Sequence, residues 1–390
     1  MHALSRVDVD ALVAASHALA PEIFARRAEI EAGRRLPAAL AERLRESRMF
    51  ELWLPRVYGG PELHPIDFIR VIEPLARADG SAGWCAAVCS VSGLAASHLS
   101  EEAAREIFGS RHIVAGTVNP TGKAVAVEGG YRVSGRWSYG SGIDNADWVV
   151  GNCIVHDGDT PRRKASGAPE MRFVLAPRAQ VEVMDDWRVG GLRGTGSHDF
   201  RMHDVFAPDA HTTPAFVNAE RPSGTLYAIP MVSLFAVALA AVTLGIARAA
   251  IDAVVELAAV KTPMGSPAPL RDKPIAQMQI ARAEAMARAA RAYLFEAIRE
   301  QWDEVASGAP PSLAKRAGIR LACTHAGEAC AGAVDMVWNI AGGGAIQESG
   351  RIERCFRDVH AATQHIGLAT NNYELAGRVL LGLDVGTPRF

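Results

Sequence analysis

The order of hydrophobic and polar positions divides the chain into three stretches with different periods. Residues 8–48 and 65–108 place apolar side chains at helical spacing, which predicts several α-helices. Between about 112 and 212, short β-branched and aromatic runs alternate with Gly, Asn and Asp, a pattern typical of antiparallel strands. Helical patterns return after about 224. We expect an N-terminal helical domain, a central antiparallel β-barrel or sheet domain and a C-terminal four-helix bundle, over residues 1–111, 112–223 and 224–390.

Several elements are predicted individually within this outline. The sequence Glu128-Gly129-Gly130 lies between two β-branched runs and indicates a hairpin. Asp157–Pro169 is polar and proline-containing, which favours an exposed loop. Ile275–Ala306 has good helix formers and neither Pro nor Gly, so it predicts one long helix. A last helix is expected over roughly 355–382.

Composition and charge narrow the class of protein. The 390 residues include 49% hydrophobic and 22% charged residues, with a formal net charge of −2, which favours neither nucleic acid nor an anionic membrane surface. The longest apolar run, Ala228–Ala247, is interrupted by Pro230 and followed by Arg248, so we expect a buried core helix rather than a membrane span. The scattered cysteines and the lack of a leader pattern predict a cytoplasmic protein with buried free thiols.

Three glycine-rich segments carry the candidate chemistry. Gly116–Pro120 follows the first predicted strand and, taken alone, indicates an ordinary turn. Gly135–Gly142 combines Trp with small hydroxyl residues, a composition that lets a ring approach the backbone, although a strand end with a tight turn would read the same way. Asp185–Ser197 is neither a P-loop nor a dinucleotide fingerprint, yet its amides and Arg193 could hold a phosphate or an anionic ring edge. A mobile surface loop is the alternative.

The late histidines do not form a metal site by spacing. His360 and His365 are five residues apart on the predicted last helix, about 140° around its axis, so both cannot face one narrow site. We therefore predict no metal. The sequence also lacks a nucleophile elbow, so Ser138 and Ser141 have no case as hydrolase nucleophiles.

The order of these segments resembles the acyl-CoA dehydrogenase superfamily over nearly the whole chain. Each motif is weak alone, and the order of all of them carries the resemblance. The matching segments are Asp79-Gly80-Ser81, Thr117–Pro120, Trp137–Tyr139, Gly191–Thr195, Gly245–Ala249, Gly342–Gly344 and Arg357-Asp358.

One departure from the dehydrogenase pattern points to different chemistry. Dehydrogenases of this superfamily carry a glutamate shortly after the Arg-Asp pair, and that glutamate removes the substrate α-proton. Residues 359–367 contain no acid here, and neither does the run 228–250. Within the superfamily the chain is most similar to the two-component flavin-dependent monooxygenases, on Trp137–Gly142, Leu192–Ser197 and His365.

That resemblance implies roles for particular residues. Ser141 is expected to contact the flavin near N5, and His365 to lie in the substrate pocket as a proton acceptor for a phenol. The glycine turn around Gly343 often meets the flavin of a neighbouring subunit in this family. The expected cofactor-binding residues are Thr117, Trp137, Ser138, Ser141, Arg193 and Gly343.

The implied function is the oxygenase component of a two-component monooxygenase. A separate NAD(P)H-flavin reductase would supply reduced FMN or FAD, O2 would form a flavin C4a-hydroperoxide, and a small aromatic or phenolic substrate would be hydroxylated. A homotetramer is expected. Three alternatives stay open: an acyl-CoA dehydrogenase in which His365 is an unusual base, a relative that oxidises nitrogen or sulfur, and a flavin-free scaffold.

Overall fold

The computed structural model describes residues 8–216 and 224–386. The α-helices of these residues are α1 Val9–Ala25, α2 Arg27–Gly33, α3 Ala38–Glu46, α4 Pro65–Ala78, α5 Gly80–Ser92, α6 Glu101–Phe108, α7 Met231–Val260, α8 Pro274–Ala306, α9 Leu313–Ala341, α10 Arg351–Thr363 and α11 Asn371–Leu380. The strands are β1 Val114–Val127, β2 Gly130–Gly140, β3 Trp148–Asp157, β4 Thr160–Pro161, β5 Met171–Pro177, β6 Glu182–Val183, β7 His198–Pro208 and β8 Thr212–Pro214. The order of helices, sheet and helices is confirmed.

The start of α5 shows how the N-terminal helices are held. The Asp79 carboxylate is the N-cap and accepts hydrogen bonds from the backbone N–H groups of Ser81 and Ala82, at 3.0 and 3.1 Å. At Gly83 an added Cβ would lie 2.5 Å from the Cβ of Ala76, so only glycine lets α5 approach α4 this closely. The helix α5 is thereby fixed against the core, with one face turned toward the sheet.

The central sheet is mixed, so the prediction of a purely antiparallel sheet is wrong. The strand order is β6-β7-β2-β1-β3-β5-β8, with β4 paired to β3. The hairpin predicted at Glu128-Gly129-Gly130 is confirmed, since β1 and β2 pair antiparallel up to Val127 and Gly130. However, β3 pairs with the other side of β1 and runs parallel to it. The hydrophobic pattern predicts a strand at residues 148–150. The connection at 141–147 decides which strand β3 pairs with and in which direction it runs.

Helices from both the N-terminal and the C-terminal part pack around α7, which is the core helix that the sequence predicted. The most apolar window of α7 is 89% buried inside the protein, so its composition reflects core packing. Contacts of α7 extend to α4, α5, α9 and α10. The sheet and the helices share one continuous apolar cluster.

The prediction of one last helix over 355–382 is wrong. Helix α10 ends at Thr363 with Gln364 as its C-cap, and α11 begins at Asn371. The turn between them contains Gly367, a poor helix former. As a result His365 lies on a turn rather than on a helix face. The predicted domain boundary at 223/224 adjoins residues 217–223, which lie outside the described residues.

Candidate active site

A large cavity lies where the sheet meets the helices. Its volume is about 580 Å³, within the range of small-molecule sites. One wall comes from β1, β2, β5 and β8, and the opposite walls come from α5, the start of α7, the loop 187–197 and the turn after α10. Most of the lining is apolar or aromatic. The fold therefore forms a sheltered apolar chamber between its helical and sheet layers.

Ser141 reaches the cavity through an irregular end of β2. The pairing of β2 with β7 shifts register between Trp137 and Gly140, and Tyr139 adopts a φ of +70°. A residue other than glycine in this region costs on the order of 1–3 kcal/mol, and such strain concentrates at functional sites. The Ser141 hydroxyl accepts a hydrogen bond from the Trp84 indole N–H at 3.1 Å. The bend thus directs a hydrogen-bonded serine into the chamber.

His365 faces the same chamber with a defined tautomer. Its Nδ1 accepts a hydrogen bond from the Gly367 backbone N–H at 3.0 Å, so the neutral ring carries its proton on Nε2. The ring packs perpendicular to Phe235, with centroids 4.9 Å apart, and edge-on to Trp84 at 6.0 Å. Burial lowers the pKa of His365 to about 4. The ring is therefore a neutral hydrogen-bond donor, which argues against the expected role as a proton acceptor.

The described residues that line the cavity carry no formal charge. Within residues 8–216 and 224–386, none of the lining side chains is Asp, Glu, Lys or Arg. The other lining histidine, His98, has its pKa lowered by burial. A thioester α-proton needs a positioned base, and this part of the chain places no carboxylate against the cavity. The sequence lacks the glutamate that serves as the base in the dehydrogenases, and the described walls of the cavity supply no other carboxylate in its place.

A dense ionic cluster lies immediately behind the loop that lines the cavity. The Asp358 carboxylate accepts a hydrogen bond from the Leu192 backbone N–H at 2.6 Å. Arg354 lies 4.0 Å from Asp358, 3.2 Å from Asp79 and 2.9 Å from Glu31. Burial, with repulsion from Asp79, raises the pKa of Asp358 to about 7, and Arg354 opposes that rise. The cluster ties α10, α2 and α5 to the backbone of the loop at Leu192.

The structure brings three of the predicted site residues to the cavity. Thr117, Ser141 and His365 all contribute to its lining. Three aromatic residues also line it: Trp84, Tyr139 and Trp187.

Two predicted cofactor neighbours lie away from the cavity, in the strand itself. Trp137 is fully buried beneath the sheet, where its indole N–H donates to the Asn152 carbonyl at 2.8 Å and its ring stacks on Phe200. Ser138 is half-buried on the same strand and outside the lining. The packing of Trp137 accounts for its presence without a ligand, and its cofactor role stays a prediction.

Arg193 and Gly343 also lie outside the cavity. Arg193 points toward α2, where its guanidinium pairs with Glu31 at 3.2 Å and with Glu348 at 3.4 Å. Gly343 is in the turn after α9, and an added Cβ there would meet no atom of the described chain within 4 Å. Both cofactor roles therefore stay predictions, and the role of Gly343 requires a neighbouring subunit.

Comparison with known proteins connects this geometry to a family. Residues 237–370 match the family described as acyl-CoA dehydrogenase, C-terminal domain. The indole-3-acetate monooxygenase of Pseudomonas putida is 32% identical over 363 residues, which cover 92% of this chain and 90% of that protein. The chain belongs to the flavin-dependent monooxygenases of the acyl-CoA dehydrogenase superfamily.

Two further relatives support the oxygenase branch. The flavin-dependent monooxygenase oxygenase subunit HsaA of Mycobacterium tuberculosis is 28% identical to this monooxygenase over 100% of its length and 98% of the relative. The solved structure of XiaF from Streptomyces sp., in complex with FADH2 and glycerol, superposes with a TM-score of 0.89 at 27% identity, covering 97% of each chain. The expected acyl-CoA dehydrogenase-like fold is confirmed.

Sequence reasoning missed several polar groups of this monooxygenase. Ser197 and Thr195 belong to the glycine-rich loop that the sequence singled out, but no role was assigned to their hydroxyls. Thr213 on β8 lines the cavity and its buried hydroxyl has no hydrogen-bond partner among the described residues. The aromatic Phe235 on α7 was also missed, because its neighbours over residues 231–247 are almost all apolar and nothing distinguishes it from them. The density of small hydroxyl residues in the loop was the signal available for Ser197 and Thr195.

Proposed function

We propose that this chain is the oxygenase component of a two-component flavin-dependent monooxygenase that hydroxylates a small, uncharged aromatic compound. The observation that carries the proposal is the cavity itself. It combines the Ser141 hydroxyl and the His365 imidazole in an apolar chamber whose described walls hold no carboxylate. Such a chamber suits oxygen activation, which needs water excluded, better than proton abstraction from a thioester, which needs a base.

The residues around the cavity fit a flavin. A planar ring system needs apolar walls with a few polar groups at its edge, and the chamber supplies both. The unpartnered Thr213 hydroxyl is a buried polar atom that a ligand would satisfy. Gly116 lines the same wall with a φ of +149°, and an added Cβ there would lie 1.9 Å from the Val150 carbonyl oxygen. Reduced FMN or FAD, delivered by a separate NAD(P)H-flavin reductase, supplies the activation of O2.

Ser141 and His365 have different tasks in this proposal. Ser141 would hold the N5 region of the flavin, and its neighbours Trp84 and Ser197 fix the direction of its hydroxyl. His365 would donate a hydrogen bond from its Nε2–H to an oxygen of the substrate and so orient a phenol or carbonyl group. The surrounding aromatic side chains exclude water. No step requires His365 to take up a proton.

The chemistry of the substrate follows from the uncharged lining. Burying an unpaired carboxylate or ammonium group is unfavourable by several kcal/mol, roughly, in an apolar environment. With no formally charged side chain on the described walls, the cavity favours a neutral aromatic compound with one hydrogen-bonding oxygen. Oxidation at nitrogen or sulfur instead of carbon is the remaining alternative within the family.

The oligomeric state is a further part of this proposal. We expect a homotetramer in the cytoplasm, assembled through the C-terminal helices, with α7 to α10 forming its four-helix bundle. In that assembly the turn at Gly343 would meet the flavin of a neighbouring subunit, and Arg193 would contact the cofactor only after partial release from Glu31 and Glu348. Size-exclusion chromatography with light scattering measures the oligomeric state.

The function is tested by anaerobic titration with reduced FMN and FAD, followed by turnover with a generic flavin reductase and a panel of phenols. We expect tight binding of reduced flavin and an oxygenated product. Anaerobic mixing with acyl-CoA separates the main alternative. Bleaching of bound oxidised flavin by an acyl-CoA would indicate a dehydrogenase and overturn the proposal, and a chain that binds no flavin would be a scaffold.

A further inference from the structure

A chain of side-chain hydroxyls connects the cavity to the backbone behind it. The Trp84 indole N–H donates to the Ser141 Oγ, and the Ser141 Oγ lies 2.7 Å from the Ser197 Oγ. The Ser197 Oγ lies 2.6 Å from the Thr195 Oγ1, which is 2.9 Å from the Leu192 carbonyl oxygen. The three hydroxyl residues are between 1% and 5% exposed, so bulk water does not compete for these bonds.

The direction of each bond in this chain follows from its fixed end. The Leu192 carbonyl can only accept, so Thr195 donates to it and has a lone pair left for Ser197. Ser197 therefore donates to Thr195, and Ser141 in turn donates to Ser197. The reverse order would leave two acceptor oxygens, Leu192 O and Thr195 Oγ1, facing each other at 2.9 Å with no proton between them. The hydroxyl hydrogen of Ser141 therefore points toward Ser197 and away from the cavity.

We propose that Thr195 and Ser197 are positioning residues that make Ser141 a hydrogen-bond acceptor toward the flavin. This inference rests on the proposed function. With its proton given to Ser197 and one lone pair occupied by Trp84, Ser141 presents only its remaining lone pair to the cavity. It can accept a hydrogen bond from a ligand N–H, and it has no hydrogen left to donate to a ligand lone pair.

That polarity distinguishes the two redox forms of the cofactor. Reduced flavin carries a hydrogen on N5, whereas oxidised flavin carries a bare lone pair there. If Ser141 faces N5, as the resemblance implies, its lone pair matches the N–H of the reduced form and opposes the lone pair of the oxidised form. The hydroxyl chain would therefore help this oxygenase to select reduced flavin from the pool that the reductase supplies.

The fixed end of the chain is itself held in an unusual conformation. Leu192 adopts a φ of +52°, in the left-handed region, and the Asp358 carboxylate accepts its N–H. The Trp187 indole N–H donates to the Leu192 carbonyl at 3.2 Å, alongside Thr195. An added Cβ at Gly191 would lie 2.1 Å from the Arg357 carbonyl oxygen, so only glycine lets α10 approach the loop here. These contacts orient the carbonyl that sets the direction of the chain.

The test is the ratio of dissociation constants for oxidised and reduced FMN, measured anaerobically by quenching of intrinsic tryptophan fluorescence and repeated with FAD. We expect wild type to bind the reduced form more tightly. Thr195→Val and Ser197→Ala should each lower that preference by about three- to tenfold, the effect of one neutral hydrogen bond on an equilibrium. Because both act through one chain, the double variant should lose no more than either single variant.

Two substitutions serve as controls. Thr195→Ser keeps the hydroxyl and should keep the wild-type ratio. Thr243→Val removes a similar bond, from a buried threonine hydroxyl to a carbonyl three residues earlier at 2.9 Å, on α7 and outside the cavity lining, and should also leave the ratio unchanged. Thermal melts check that each variant is folded, and Ser197→Ala tests the chain if Thr195→Val does not fold.

The possible outcomes separate this inference from the proposed function. In one outcome, Thr195→Val and Ser197→Ala keep the wild-type preference for reduced flavin while Ser141→Ala loses it. That result would overturn the role of the hydroxyl chain and leave the proposed function standing. Equal loss in Thr195→Ser would also count against it, since that variant retains the hydroxyl. A wild-type protein that binds neither form of flavin would overturn the function and this inference together.

Discussion

The two sides of the loop 187–197 differ sharply in charge. On the cavity side, the described walls carry hydroxyls, imidazoles and apolar side chains, with no formally charged group. On the other side, Asp358, Arg354, Asp79 and Glu31 form a buried ionic cluster that reaches the backbone of the loop. The same backbone thus separates a neutral chamber from a charged support.

The difference shows which interactions hold the site and which face the ligand. Buried ion pairs fix helices and loops in place, although they contribute little net stability because desolvation offsets their attraction. Neutral dipoles such as the Ser141 hydroxyl and the His365 N–H can be oriented in advance, and they add no net charge to the chamber. Moving charge from one side to the other should therefore damage either the fold or the chemistry, and the predictions below follow this division.

The largest expected effect is on the charged side, at Asp358. Replacing it by alanine removes the acceptor of the Leu192 N–H, leaves Arg354 with one counter-charge fewer, and opens a cavity. We expect Asp358→Ala to lower the free energy of unfolding by about 3 kcal/mol, since an unsatisfied buried donor and a broken buried pair both add to the loss. Urea denaturation measures it.

Asp358→Asn is the matched control. An asparagine oxygen can still accept from Leu192, so this variant should lose only about 1 kcal/mol. Equal destabilisation by Ala and Asn would mean that the charge, rather than the hydrogen bond to the loop, is what the fold needs.

The next effect is on the neutral side, at His365. If its Nε2–H donates to a substrate oxygen, His365→Ala should lower kcat/KM for a phenol by about a hundredfold, comparable to the loss of one preorganised donor. His365→Gln offers an N–H from a side chain of similar reach and should recover at least about tenfold of that loss. Product formation with a saturating reductase measures both.

The comparison of Gln with Ala decides between donor and base. Glutamine can donate but cannot take up a proton near neutral pH. A His365→Gln variant as inactive as His365→Ala would restore the proton-acceptor role that the sequence suggested. The wild-type rate should also show no inflection between pH 5 and 8 from His365, because burial lowers its pKa to about 4.

The fold could be predicted from sequence further than the site. The helices on both sides of Asp79 and the hairpin at Gly129 follow from apolar spacing and turn chemistry, which are local, and the sequence contains them. The break between α10 and α11 lies at a turn that contains Gly367, a local signal that the helical periodicity around it obscured. The parallel pairing of β3 with β1 depends on tertiary contacts. Local periodicity does not encode such contacts.

The site residues divide in the same way. Ser141 and His365 could be named from motifs, and both line the cavity. The direction of their hydrogen bonds could not be named, because it depends on the Gly367 amide and on the Leu192 carbonyl, which only the folded backbone brings into range. The sequence therefore suggested a base where the structure favours a donor.

A third prediction concerns pH and returns to the charged side. Burial raises the pKa of Asp358 to about 7, against about 3.9 in an unfolded chain, so the folded state binds more protons between these values. The stability contributed by this group therefore falls as pH rises from 4 to 7. The stability of wild type relative to Asp358→Asn should increase by about 1.6 kcal/mol from pH 7 to pH 5.5, because the full slope of about 1.36 kcal/mol per unit applies only well below the folded pKa. Urea titrations at both pH values measure the difference. A difference that does not change with pH would mean that Asp358 is ionised in the folded protein at both values.

The smallest expected effect tests the neutral side with substrates instead of variants. The phenol 3-hydroxyphenylacetate carries a carboxylate at neutral pH, and its methyl ester carries none while being slightly larger. If the cavity supplies no counter-charge, the ester should show a kcat/KM at least about tenfold higher, because the acid must lose its hydration without gaining a partner. The difference should come mainly from KM, since the charge is remote from the reacting ring. A preference for the acid would contradict the uncharged chamber and would point to a cation that the described walls do not contain.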